Sequence, residues 1–186
     1  MPRRLGVGDV APGFSLPSQT GEVVNMKEKV GKQEIVLYFY PKDNTPGCTT
    51  EARAFRDSHE IFKQLGAEVI GVSSDSIESH RGFAKKCDLP FTLLSDAGGK
   101  VRELYSVPST FGLLPGRVTY IIDKRGIVRH LFSSQMNPKK HVDEAVGVLK
   151  SIREQDEKER TAGTGLGGSA RKGTITSGQG AVEVRD

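Results

Sequence analysis

Cys48 is the residue of this chain best placed to do covalent chemistry. It stands in the segment Tyr38-Phe39-Tyr40-Pro41-Lys42-Asp43-Asn44-Thr45-Pro46-Gly47-Cys48-Thr49-Thr50-Glu51, where an apolar and aromatic run gives way to a helix-opening pattern. A thiol becomes a strong nucleophile only on ionising, and the unpaired N–H groups of a helix N-terminus favour the thiolate. Thr45, three residues earlier, brings a hydroxyl for a small polar substrate or for the sulfur. Pro41 and Pro46 stiffen the approach, and Pro46 falls where a helix start tolerates proline. The pattern specifies a reactive cysteine rather than a packing one.

The elements that must hold this segment follow from hydrophobic period and turn residues. Residues 14–26 predict a short β-hairpin turning at Ser18-Gln19-Thr20-Gly21, and residues 35–40 a buried central strand. One helix is expected over 46–65, with Phe55, His59 and Phe62 on one face and Gly66 as its C-cap. A second buried strand covers 68–73, and Ser76 opens a helix that runs to about Cys87 and stops at Pro90. A short strand at 91–94 and a short helix at 97–105 precede two strands, 118–122 and 127–132, joined by the turn Asp123-Lys124-Arg125-Gly126. The closing helix spans 138–153, with Val142, Ala145, Val146 and Leu149 at helical spacing. Alternating strands and helices followed by a hairpin and a helix predict an α/β domain of three layers with a mixed sheet, occupying 1–153. Residues 151–160 carry seven charges and extend the last helix, whereas 161–186 hold seven glycines and almost no large apolar side chain. Residues 154–186 are therefore expected to form a charged, then glycine-rich tail, disordered from Thr161 onward.

The spacing Pro41-x-x-x-Thr45-x-x-Cys48 resembles the peroxiredoxin active-site signature. The longer string from Tyr40 to Thr49 resembles the peroxiredoxin Q branch, also called the bacterioferritin comigratory protein type. Further matches follow in family order: Asp9-x-Ala11-Pro12-x-Phe14, Phe55-Arg56-Asp57, Leu93-Leu94-Ser95-Asp96 and Leu114-Pro115-Gly116-Arg117-x-Thr119-Tyr120-Ile121-Ile122-Asp123. The resemblance covers roughly residues 5–150 and implies a thioredoxin-like α/β/α sandwich with a mixed central sheet and an N-terminal β-hairpin. It also implies a thiol peroxidase for hydrogen peroxide and organic hydroperoxides, in which Cys48 becomes a sulfenic acid and thioredoxin or another thiol restores it. On this resemblance Thr45, the Cys48 N–H and Arg117 polarise the O–O bond and keep the sulfur anionic, and Pro41 shields it. Glu51 stands open between two roles, a partner of the helix dipole or an orienter of the arginine.

One departure from the family pattern matters for turnover. Most proteins of this branch carry a resolving cysteine five residues after the peroxidatic one, and here that position is Arg53. Cys87 is the other cysteine; its face, shared with Phe83 and Ala84, favours a core filler, and a resolving role is the alternative. A disulfide needs Cα atoms within roughly 7 Å, so joining Cys48 to Cys87 would call for local unwinding. The expectation is a cycle that uses Cys48 alone with an external thiol.

Composition narrows the remaining classes. The net charge of +4 is spread among interleaved acids and bases, with no basic stripe, so no nucleic-acid partner is expected. No run approaches the ~18 apolar residues of a membrane span, and two cysteines are too few for a secreted disulfide framework. His59, His80, His130 and His141 show no metal-ligand spacing, and no phosphate-binding loop follows a strand, so no cofactor is expected. The absence of Cys-x-x-Cys disfavours a disulfide-exchange enzyme, and no local signature marks a Cys-His hydrolase. A non-enzymatic redox sensor or partner-binding member of the same fold is the alternative function. The chain is expected to be a monomer in the cytoplasm, with the plastid stroma as the alternative if a transit peptide has been removed.

Overall fold

The computed structural model describes residues 3–110, 112 and 114–164, and the chain divides into two compact units, Met1–Arg153 and Glu154–Asp186. In the first unit, β1 (Ser15–Pro17) and β2 (Val23–Asn25) form the expected hairpin, and α1 (Met26–Lys29) starts under an Asn25 cap. β3 (Glu34–Phe39) is buried at every position and lies at the centre of a five-stranded sheet. Its neighbours are β4 (Ala67–Ser73), parallel, and later β8 (Val118–Ile122), antiparallel. A strand buried on both faces needs apolar side chains throughout, which the run Ile-Val-Leu-Tyr-Phe supplies.

The expected single helix over 46–65 is two helices, α2 (Pro46–Asp57) and α3 (His59–Gln64). Ser58 leaves helical geometry at φ −99°, ψ 7°, closing the first helix and opening the second. A serine after an aspartate competes with the helical backbone for hydrogen bonds. The bend keeps Phe55 and Phe62 fully buried with ring centroids 5.8 Å apart. Gly66 follows at φ +73°, the left-handed turn its position predicted.

Ser76 caps α4 (Ile77–Cys87), and Asp88, at φ 51°, ends it two residues before Pro90. β5 (Thr92–Ser95) adds to β4 in parallel, and α5 (Lys100–Leu104) is shorter than the span 97–105 expected for it. A two-residue ladder, β6 (Ser109–Thr110) with β7 (Leu114–Pro115), leads into β8, and β9 (Val128–Ser133) completes the order β5-β4-β3-β8-β9. The helix α6 (Lys140–Thr164) includes Thr161–Thr164, which the sequence assigned to a disordered segment. Residues 165–186 of the expected tail lie outside the described residues.

Each face of the sheet has its own core. Val36, Tyr38 and Tyr40 pack with α2, α3, α4 and the buried face of Val142, Ala145, Leu149 and Ile152. Ile35, Leu37 and Phe39 pack with Met26, Val101 and Tyr105 on the other side. Alternation along one strand thus builds two layers of core and the mixed three-layer sandwich expected.

Candidate active site

The loop between β3 and α2 is held from below by a polar network that the sequence pattern did not reveal. Asp43, nearly fully buried, accepts from Tyr40 OH at 2.6 Å and from Ser79 Oγ at 2.7 Å, and lies 2.8 Å from His80 Nδ1. Its N–H donates to Asp75 Oδ2 at 2.9 Å, and His80 Nε2 lies 3.0 Å from the Leu94 carbonyl. Ligand atoms of Asp43, Asp75 and His80 come within 4.8 Å of one another, which could hold a cation. Each of those atoms already has a hydrogen-bond partner, so the loop's anchorage accounts for the group. Asn44, at φ 61°, then turns the chain toward the helix.

Thr45 occupies the N-cap of α2 in extended geometry, with Pro46 as the first helical residue. Its side chain makes no capping bond; the hydroxyl instead donates to the Lys42 carbonyl at 3.1 Å. Two consequences follow. The Gly47 and Cys48 N–H groups keep no side-chain cap and face outward from a helix N-terminus, where negative charge is favoured. The Thr45 hydroxyl proton is committed, so toward any further hydrogen-bond partner its oxygen serves as an acceptor. Pro41 sits half-buried where β3 ends.

Cys48 is 1% exposed. Arg117, 4% exposed, reaches it from the residue preceding β8, with Nη2 at 3.4 Å from Sγ. Two features of the backbone allow this approach. Gly116 runs so close to Pro108 that a Cβ would clash with its carbonyl oxygen, and a Cβ on Gly47 would touch Arg117 Nη2 at 3.1 Å. The other arm of the guanidinium, Nη1, bonds Glu51 Oε2, so Glu51 orients the arginine. Burial raises the Glu51 carboxyl to about 8 against the opposing pull of Arg117.

His141 completes this layer, although the sequence marked it only as a histidine without metal-ligand spacing. It is fully buried, with Nδ1 2.8 Å from Thr119 Oγ1 and 3.7 Å from Glu51 Oε1, and Nε2 2.9 Å from the Ser134 carbonyl. Burial lowers its imidazole to about 4. No sequence signal near Cys48 pointed to it, because it arrives from a helix 93 positions later.

The second cysteine is elsewhere. Cys87 closes α4, is fully buried in the same apolar cluster, and its carbonyl accepts from Arg56 Nη1 at 2.8 Å. Both cysteines are free thiols. Arg53 stands exposed on α2, where a resolving cysteine would have stood.

A buried cysteine at a helix N-terminus, faced by a guanidinium on an adjacent strand of a mixed sheet, defines a thiol-based redox enzyme on a thioredoxin-like sandwich. The comparisons with known proteins agree. The AhpC/TSA family model matches residues 7–131. The chloroplastic peroxiredoxin Q of Sedum lineare is 54% identical over 147 residues, spanning 78% of each chain. That of Arabidopsis thaliana is 52% identical over 149 residues, 80% of this chain and 68% of the relative. Among crystal structures, the peroxidoxin BcpB of Mycobacterium tuberculosis superposes with a TM-score of 0.75 at 34% identity, covering 80% of this chain and 99% of that one. A Xylella fastidiosa PrxQ mutant does so with a TM-score of 0.75 at 28% identity, over 82% and 99%. The chain belongs to the AhpC/TSA family, within its peroxiredoxin Q branch. It is a thiol-dependent peroxidase, an oxidoreductase whose substrates are peroxides and whose electrons come from thiol donors.

Proposed function

We propose that Cys48 is the peroxidatic cysteine and that hydrogen peroxide and small organic hydroperoxides are its substrates. The observation that carries this reading is the 3.4 Å approach of Arg117 Nη2 to the buried Cys48 Sγ at the start of α2. The thiolate attacks the hydroxyl-bearing oxygen of the peroxide; the S–O bond forms, the O–O bond breaks, and its electron pair leaves on the second oxygen, which is protonated to water or alcohol. Arg117 and the uncapped N–H groups of α2 stabilise charge on the sulfur and the two oxygens, and the Thr45 oxygen accepts from the peroxide hydroxyl. Pro41 narrows the access to the sulfur.

The cycle closes through an external thiol, of the thioredoxin class or of low molecular weight. Arg53 in the resolving position and the full burial of Cys87 support a cycle that uses Cys48 alone. The fold and the site lie in one unit, residues 1–153, and residues 154–186 are an appendage not needed for chemistry. The protein acts as a monomer, and the chloroplastic relatives favour the plastid stroma over the cytoplasm. Among the described residues no helix is long and apolar enough to cross a membrane. A peroxide-consumption assay with and without reduced thioredoxin tests the reading. Thiol-dependent consumption lost in Cys48→Ser is expected, and retained turnover in that variant would overturn it.

A further inference from the structure

Arg117 faces two acids at once. Nη2 meets Cys48 Sγ at 3.4 Å, and Nη1 bonds Glu51 Oε2. All three groups are buried: 1% exposure for Cys48, 4% for Arg117 and 0% for Glu51. If both acids were ionised, the pocket would hold two negative charges against one positive, and an uncompensated charge inside a protein is costly. Among the described residues, the other groups near Glu51 supply no second cation. From β3, Tyr38 couples electrostatically to Glu51, but its buried hydroxyl lies over Gly71 and has no hydrogen-bond partner. From β8, Thr119 presents a hydroxyl to His141. From α6, His141 turns Nε2 to the Ser134 carbonyl, an acceptor, so that nitrogen carries the hydrogen and Nδ1 is a lone pair.

Glu51 Oε1 is the decisive atom. It is buried, has no hydrogen-bond partner, and lies 3.7 Å from His141 Nδ1, whose lone pair accepts from Thr119 Oγ1 at 2.8 Å. An ionised Oε1 would be a buried charged oxygen with no hydrogen-bond donor, since the neighbouring Nδ1 is itself an acceptor that takes its hydrogen bond from Thr119; a proton on the carboxyl removes that charge. Burial favours the neutral carboxyl in the same direction.

We propose that Glu51 stores the proton of Cys48: it is protonated on Oε1, beside His141, while Cys48 is a thiolate, and it gives the proton up when the peroxide is cleaved. This deepens the peroxidase reading and rests on it. The bookkeeping of charge closes at every stage. A Cys48 thiol would pair with a Glu51 carboxylate and the Arg117 cation; in the resting, reactive form the proton has moved to Glu51, and the pocket stays neutral. Attack then forms the S–O bond, breaks the O–O bond and leaves the pair on the departing oxygen, which takes one proton. The products are neutral sulfenic acid, water or alcohol, and a Glu51 carboxylate again paired with Arg117. His141 and Thr119 act as positioning residues for Oε1.

Infrared difference spectroscopy on the full chain, before and after one equivalent of hydrogen peroxide at pH 7, tests this, with sulfenic acid at Cys48 verified by dimedone trapping and mass spectrometry. The expected result is loss of a carboxylic acid C=O band as sulfenic acid forms, and absence of that band from Glu51→Gln. Glu51→Gln should also slow Cys48 oxidation by about 10²-fold, the low end for lost proton-transfer assistance. Sulfenic acid formation with no change in any carboxylic acid band would overturn the proton store and leave the peroxidase reading intact. No oxidation of Cys48 at all would overturn both. The wild-type spectrum decides between these outcomes even where Glu51→Gln fails to fold.

Discussion

Arg117 and Cys48 lie 69 positions apart in sequence and 3.4 Å apart in space, with the guanidinium nitrogen directed at the sulfur. β8 delivers the arginine because it pairs antiparallel with β3, whose end feeds the cysteine loop. The site is thus made where two adjacent strands end, and the sheet fixes its geometry.

Replacing Arg117 by methionine keeps much of the apolar stem and removes the charge. Loss of one preorganised donor at a reacting group costs about 10²–10³ in rate. Stopped-flow measurement of Cys48 oxidation should show a fall of that size in Arg117→Met. Arg117→Lys should recover little, because an ammonium cannot hold Glu51 and Cys48 with two arms. A lysine variant at wild-type speed would refute the two-armed role.

Gly47→Ala separates stability from function. Gly47 lies in the first turn of α2, where alanine is the better helix former by up to about 1 kcal/mol. The added Cβ would press on Arg117 Nη2 at 3.1 Å and push it off the sulfur. The melting temperature should hold or rise while the rate of peroxide reduction falls. A drop in stability with the rate unchanged would contradict the geometry.

The two shifted groups beside the site oppose each other in pH. The His141 imidazole, lowered to about 4 in the fold from an unperturbed 6.5, stays neutral while the unfolded chain binds a proton. Its contribution is therefore complete above pH 6.5 and is lost as pH falls toward 4, by about 3 kcal/mol at most. The Glu51 carboxyl, raised from 4.5 to about 8, works the other way: its contribution is complete below 4.5 and declines as pH rises through 8. Against wild type, His141→Asn should lose less stability between pH 6.5 and 4, and Glu51→Gln less between pH 5 and 8. Denaturant titrations across that range check both signs.

Cys87 should prove dispensable for turnover. Cys87→Ala removes one buried sulfur, worth about 1 kcal/mol on the scale of a buried methylene. Thioredoxin-dependent peroxidase activity should stay near wild type, and non-reducing peptide mapping after peroxide should leave Cys87 free. A stoichiometric disulfide between Cys48 and Cys87 would show that α2 or α4 unwinds during the cycle.

Much of this was legible in the residues themselves, for a physical reason. The apolar run at Ile35–Tyr40, the Pro46 helix start and the Ser76 cap act through neighbours in sequence, so strand, helix start and reactive cysteine could be read locally. Arg117 was found through the family motif, since nothing local distinguishes an arginine at a strand start from a surface charge. The break at Ser58 escaped detection because Phe55, His59 and Phe62 keep helical spacing across it. Only packing decided the rest. Glu51 became an orienter of Arg117 when α2 was laid against β8, and His141 entered the site when α6 closed over Thr119. Asp43 met His80 because α4 covers the strand ends. A side chain's charge and hydrogen-bonding capacity are properties of its residue type; its protonation and its partner are set by the burial and the neighbours that the tertiary fold supplies.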